Sequence, residues 1–230
     1  MEVTKATFFG NGGIREGGER DSFGAFHAQQ CGTVGLMARP RSPLSDATET
    51  TAATASTAQR LSGLGPVAAP GARLLVLGSF PSVASLQAQQ YYAHPRNHFW
   101  PILSALWGLE GERALPALPY AQRLPIVQAH GLAIWDVYAG CERQGSLDSA
   151  IQNAQLNDLA GLIQRIPTLE AIAHNGGESA RHMKITQALG LPVYKLPSTS
   201  PANASWSFER KLAAWRAVFA AHRLAQSVNN

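Results

Sequence analysis

The densest gathering of chemically useful side chains in this sequence is Tyr91-Tyr92-Ala93-His94-Pro95-Arg96-Asn97-His98-Phe99-Trp100, which holds four aromatics, two His, an Arg and an Asn in ten residues. Aromatic faces stack on planar rings, and an Asn amide both donates and accepts, so it can orient a water or read a ring edge. Phe99 and Trp100 would also serve as core, but the polar members have no structural reason to cluster unless they line a site. Four shorter stretches share that character. Gly78-Ser79-Phe80-Pro81-Ser82 combines a flexible residue, hydroxyls, an aromatic and a rigid turn, and taken alone it reads as a simple strand-to-helix turn. Asp136 closes an apolar run, where a carboxylate is costly unless it is used or paired; a helix cap or ion pair is the competing reading. Asn175-Gly176-Gly177 offers an amide, but its glycines favour a simple turn closing the third strand. Ser198-Thr199-Ser200-Pro201 offers hydroxyls and backbone N–H groups that suit a phosphate or a tight loop.

Each of the four shorter stretches ends a short apolar run. Residues 74–77, 132–135, 169–174 and 193–196 read as buried strands. Helical patterns fall between and after them, at 97–106, Tyr120–Ala129, 156–166, 178–189 and 206–221, the last with Leu212, Trp215, Val218 and Phe219 at helical spacing. Buried strands alternating with helices predict an α/β fold, a small four-stranded parallel sheet with helices on both faces. Such sheets bind ligands beyond the carboxyl ends of their strands, so all four loops are expected to converge on one pocket.

The 230 residues suffice for one full domain and carry a net charge of +4. Residues 1–60 hold six charges of each sign, which leaves 13 basic and nine acidic residues beyond them. That excess leans toward a polyanionic partner without proving one. Cys31 and Cys141 are too few for a disulfide framework, and the His residues show no metal-ligand spacing, so no metal and no cofactor are expected. There is no apolar run of membrane-spanning length and no secretory signal, so a cytoplasmic protein (nucleoid-associated if bacterial) is expected. Residues 1–70 are rich in Gly, Ala, Thr and Ser with little apolar periodicity and read as a low-complexity, mostly disordered tail ahead of a domain at 71–225; short elements at 7–9 and 23–28 lack support.

The order and spacing of Gly78-Ser79-Phe80-Pro81-Ser82, of Tyr92-Ala93-His94-Pro95-Arg96-Asn97-His98-Phe99-Trp100 and of Leu196-Pro197-Ser198-Thr199-Ser200-Pro201 resemble the uracil-DNA glycosylase superfamily. Within it the chain looks most like the hypoxanthine-DNA (deoxyinosine) glycosylase branch, over roughly residues 72–222. The second of these stretches also resembles mismatch-specific uracil glycosylases. Most relatives carry an Asp or Asn that handles the attacking water where Phe80 stands, and a phenyl ring cannot do that. The departure points to the hypoxanthine branch, in which an Asn like Asn97 is implied to take over. Ser198 stands where relatives carry His or Asn. The resemblance thus implies a monofunctional glycosylase acting on DNA that contains a deaminated base, as a monomer. Asn97 and Ser198 are the catalytic candidates, and Phe80, Asp136 and Asn175 contact the base. Ser82, Thr199, Ser200, His94 and Arg96 contact the DNA. The loop that wedges into DNA in relatives corresponds to Ala202 onward, with Trp206 expected in the core. The alternatives are a uracil or mismatch-specific glycosylase, or a nucleic-acid-binding module without catalysis. A serine hydrolase is disfavoured because no GxSxG elbow is present.

Overall fold

The computed structural model describes residues 60–225. The expectations for residues 1–59, including the short elements at 7–9 and 23–28, lie outside the described residues. The described chain runs through strands β1 (Arg60–Ser62) and β2 (Leu74–Gly78), helices α1 (Val83–Ala88), α2 (Phe99–Trp107) and α3 (Tyr120–Ala129), and strands β3 (Leu132–Asp136), β4 (Tyr138–Glu142) and β5 (Gln152–Leu156). It continues through α4 (Leu159–Arg165), β6 (Ala171–Asn175), the short helices α5 (Gly177–Ala180) and α6 (Met183–Gln187), β7 (Val193–Leu196) and α7 (Phe208–Ala221).

Four strands form a parallel sheet in the order β3-β2-β6-β7. Every residue of β2, β3 and β6 is buried, which is why these strands read as unbroken apolar runs rather than alternating ones. A fully buried Leu stabilises the fold by roughly 2–3 kcal/mol, and Leu74, Leu75 and Leu77 are all at 0% exposure. His174 is the exception in β6. Its ring nitrogens lie 2.7 Å from Ser179 Oγ and 2.9 Å from Thr186 Oγ1, so it fastens α5 and α6 to the sheet. Gly78 pairs with Asp136 and Asn175 with Leu196 across neighbouring strands. The carboxyl ends are therefore flush, and the loops that follow leave from one edge.

Local chemistry sets the helix boundaries. The helix expected from 97 begins at Phe99, because Asn97 Oδ1 accepts the Phe99 N–H at 2.9 Å, and it ends where Gly108 turns left-handed at φ 62°. The helix expected over 156–166 starts only at Leu159, where Asp158 accepts the Gly161 N–H at 2.9 Å. The 178–189 pattern divides into α5 and α6, and α7 begins after Ser207. On α7, Trp215 and Phe219 are fully buried, and the Trp215 ring meets the edge of Phe99 with centroids 5.8 Å apart, which seats α2.

A second, antiparallel sheet of order β1-β4-β5 has no counterpart in the sequence reading. β5 is the polar, exposed stretch Gln152-Asn153-Ala154-Gln155-Leu156 with no period-two alternation, and β4 follows β3 after a single residue. Residues 60–70, assigned to the tail by composition, pack on the domain. Gly63 N donates to Ala139 O at 2.8 Å, and Val67 exchanges two backbone hydrogen bonds with Ile134, covering the free edge of β3.

Candidate active site

A cavity of about 780 Å³ opens at the carboxyl edge of the parallel sheet, walled by the loops after β2, β6 and β7, by Asp136 at the end of β3 and by residues 146–148 beyond β4. That volume lies in the range of small-molecule sites, roughly 300–1,000 Å³. Its floor depends on a glycine. A Cβ on Gly78 would lie 2.2 Å from Asp136 Oδ1 and 3.4 Å from the Tyr92 hydroxyl, so any side chain there would collide with the carboxyl group. Asp136 is 3% exposed, and its Oδ2 has no hydrogen-bond partner among the described residues; the buried Tyr92 hydroxyl has none either. Burial, and then the nearby Asp148 carboxylate, push the Asp136 carboxyl up to about 7 against the opposing pull of Arg143. Burial and the Asp136 charge likewise raise the Tyr92 phenol. Leaving a buried polar group unpaired costs roughly 1–3 kcal/mol, so this floor suits an occupant whose edge carries both donors and acceptors.

The aromatic-rich segment divides between core and cavity. Tyr91, Phe99 and Trp100 are buried at 3%, 0% and 3% exposure. Tyr92 adopts a left-handed φ of 54° and stacks on Phe99 with centroids 3.8 Å apart, which directs its hydroxyl to the cavity floor. Asn97 lines the cavity; Oδ1 serves the α2 cap, and its Nδ2 hydrogens remain for the cavity. Phe80 lines the wall at 6% exposure.

The structure therefore brings Phe80, Ser82, Asn97, Asp136, Asn175, Ser198, Thr199 and Ser200 to one cavity, whereas His94 and Arg96 stand outside it. Several of these also hold the loops in shape. Asn175 and Thr199 exchange two hydrogen bonds of 2.9 Å, Nδ2 to Oγ1 and backbone N to Oδ1, tying the last loop to β6. Thr199, expected on the DNA, is at 0% exposure, so its hydroxyl serves Asn175 rather than a phosphate. Ser82 caps α1 by accepting the Ser85 N–H, and Ser198 Oγ accepts the Ser200 N–H, each at 3.2 Å. Gly176, at φ 107°, passes so close to Ser198 that a Cβ would lie 2.9 Å from the serine Cβ. Trp206, expected in the core, is half-buried against the cavity with the Arg210 guanidinium 4.5 Å from its ring.

Four further residues escaped the sequence reading. The Tyr92 hydroxyl was hidden among neighbouring aromatics, and Lys195 lines the cavity from an exposed position on β7. Asp148 Oδ1 accepts the Ser79 hydroxyl at 2.7 Å. Arg143 is 7% exposed, lies 5.0 Å from the Phe80 ring centroid and donates to the Pro81 carbonyl. Arg143 and Asp148 belong to a polar stretch that looks like an ordinary solvated loop.

Fold and site together define an open parallel-sheet α/β protein with a half-polar pocket, part aromatic wall and part buried carboxyl. Comparison with known proteins makes the class specific. The model of the Uracil DNA glycosylase superfamily matches residues 66–219. A protein of Methanosarcina acetivorans named hypoxanthine DNA glycosylase is 33% identical over 157 residues, covering 68% of this chain and 96% of the relative. A Methanosarcina barkeri protein of the same name is 31% identical with the same coverage. The solution NMR structure of a candidate uracil DNA glycosylase from Methanosarcina acetivorans aligns with a TM-score of 0.64 at 32% identity, over 72% of this chain and 99% of that one. The chain belongs to the uracil DNA glycosylase superfamily. Among the described residues, no helix is long and apolar enough to cross a membrane.

Proposed function

We propose that this chain is a monofunctional hypoxanthine-DNA glycosylase that hydrolyses the N-glycosidic bond of a deoxyinosine flipped out of the helix. The observation that carries the reading is the convergence of Phe80, Asn97 and Asp136 on one cavity, with a phenyl ring at the first-loop position and an unpartnered carboxyl on the floor. The two Methanosarcina relatives support the choice of base.

In this reading Phe80 stacks on the base and Asn97 orients the water. The bond from C1′ to the base nitrogen breaks, and its electron pair leaves with the base. The water oxygen bonds C1′ and its proton passes to solvent or to the departing base. Asp136, held up at about 7 and so protonated in a substantial share of molecules at neutral pH, donates to O6 of hypoxanthine. Adenine presents an amino donor in place of O6, so the Asp136 hydroxyl finds no acceptor at that position. Asn175 contributes its remaining N–H to the ring edge, and Ser198 lies beside the reacting sugar. Ser82, Ser200, His94 and Arg96 hold flanking phosphates, with Thr199 acting through the loop it ties down. The product is an abasic site in an unbroken strand.

Base release by the purified chain from duplexes containing hypoxanthine, uracil, xanthine or no lesion tests this directly. Hypoxanthine is expected to leave fastest. Faster release of uracil would move the chain to the uracil or mismatch-specific class, and tight binding to damaged duplex without release would leave a binding module.

A further inference from the structure

The polar stretch beyond β4 grips the first loop at three points. Arg143 donates to the Pro81 carbonyl, the Ser79 hydroxyl donates to Asp148 Oδ1 at 2.7 Å, and the Val83 N–H donates to Ser146 Oγ at 2.9 Å. Arg143 is the unusual member. It is 93% buried (7% exposed), and its Nε and Nη1 have no partner among the described residues. Its guanidinium lies 5.0 Å from the Phe80 ring centroid. Arg143 does not line the cavity and Phe80 does, so the cation meets the cavity wall through the phenyl ring it packs over. Burying a guanidinium with unmade hydrogen bonds is costly. An apolar side chain of similar length would fill the same space without that cost, so packing alone does not account for an arginine here. The guanidinium keeps its proton even where burial lowers its affinity for it.

We propose that Arg143 is a positioning residue for base release: it fixes the Phe80 ring as the stacking wall and sets a permanent positive charge behind that ring, facing the base as it departs with the glycosidic electron pair. This rests on the glycosylase reading above and adds to it a residue that touches no substrate. Arg143 transfers no proton; it attracts the negative charge that develops on the base when the bond to C1′ breaks. A base stacked about 3.5 Å beyond the ring would carry that charge roughly 8–9 Å from the guanidinium, and at an effective dielectric near 20 the attraction corresponds to about a thirtyfold effect on rate.

The test is single-turnover base release from a hypoxanthine-containing duplex by the full chain, with duplex affinity and thermal midpoint measured alongside, for Arg143→Met, Arg143→Lys, Phe80→Leu and the Arg143→Met/Phe80→Leu double variant. Arg143→Met is expected to slow release about 10- to 30-fold with duplex affinity nearly unchanged. Arg143→Lys, which keeps the charge, should recover most of the loss. In the Phe80→Leu background, Arg143→Met should cost less than it does alone, because the share of its effect that acts by fixing the ring is already gone. A parental rate in Arg143→Met, an equal loss in Arg143→Lys, or fully additive effects would overturn the proposal. If Arg143→Met does not fold, Arg143→Lys decides: near-parental release supports the charge and a tenfold loss overturns it. A parent chain that releases no base refutes the glycosylase reading itself, a result distinct from an active parent beside an equally active Arg143→Met.

Discussion

Two buried groups on strands of one sheet should give this protein opposing pH dependences that nearly cancel, and single substitutions should expose each. Asp136 is held up at about 7 from 3.8 chiefly by burial, then by Asp148. Between those values the native state binds a proton that the unfolded chain does not, so stability falls as pH rises through the window. His174 is pushed down to about 4 from 6.5 by burial first and then by the nearby His182 charge. Between pH 4 and 6.5 it is the unfolded chain that holds the extra proton, and stability rises with pH. At about 1.4 kcal/mol per pKa unit, Asp136 contributes a fall of about 4 kcal/mol and His174 a rise of about 3 kcal/mol. Neither group is among the causes of the other's shift, so the two contributions add. Asp136→Asn should therefore unmask a protein that gains stability between about pH 4 and pH 7, and His174→Gln one that loses it, relative to a flatter parent. Urea unfolding across that range reads the difference directly. At the upper end Asp136→Asn should exceed the parent by several kcal/mol, on the order of 10 °C in Tm, while losing base release. An Asp136→Asn variant whose stability follows pH as the parent's does would refute the buried, proton-holding carboxyl and the specificity argument built on it.

Asn97 carries two duties that separate by substitution. Asn97→Ala should lose about 1 kcal/mol of stability with the hydrogen bond that Oδ1 accepts from the Phe99 N–H and roughly 10²–10³-fold in base release. Asn97→Asp should keep the stability and still lose the release, as denaturant titration beside a single-turnover assay would show. Gly78→Ala places a methyl group 2.2 Å from Asp136 Oδ1, so a loss of about 1–3 kcal/mol and of most activity is expected; an active, parent-like variant would mean that the floor can yield. With Lys195 exposed at the cavity, borohydride added during turnover should capture no protein–DNA adduct. A captured adduct that disappears in Lys195→Ala would replace hydrolysis by an imine mechanism.

β2, β3 and β6 were legible because burial on both faces makes them almost wholly apolar and β7 because Val193 and Leu196 frame it, and the cavity loops were legible because the residue types change abruptly where those strands end. Gly78, Asp136, Asn175 and Leu196 mark those four ends. β5 was not legible, since it is exposed along its whole length and leaves no apolar signature. β4 was lost for a different reason, running on from β3 after only Val137. Nor could the sequence show that Ser79 reaches Asp148 or that Arg143 reaches Phe80, for both contacts cross more than 60 residues of chain.

Most of what was hidden concerns pairing. Asn175, Thr199, His174 and Ser82 have the residue types of a reactive site, yet each has partners within the fold and helps to hold a loop or helix in place. Asp136 Oδ2, the Tyr92 hydroxyl and Arg143 Nε and Nη1 are buried without partners among the described residues. A stable core would discard such groups, since removing both the charge and its unmet bonds is neutral or favourable. Those three lie at the cavity floor or beside its aromatic wall, whereas Arg73 Nε, next to the Glu170 carboxylate, and His98 Nδ1, at the start of α2, lack hydrogen-bond partners away from it. Residue type locates the neighbourhood of the cavity, then, but the unpartnered groups beside it single out the side chains that folding alone does not explain, and that distinction exists only in three dimensions.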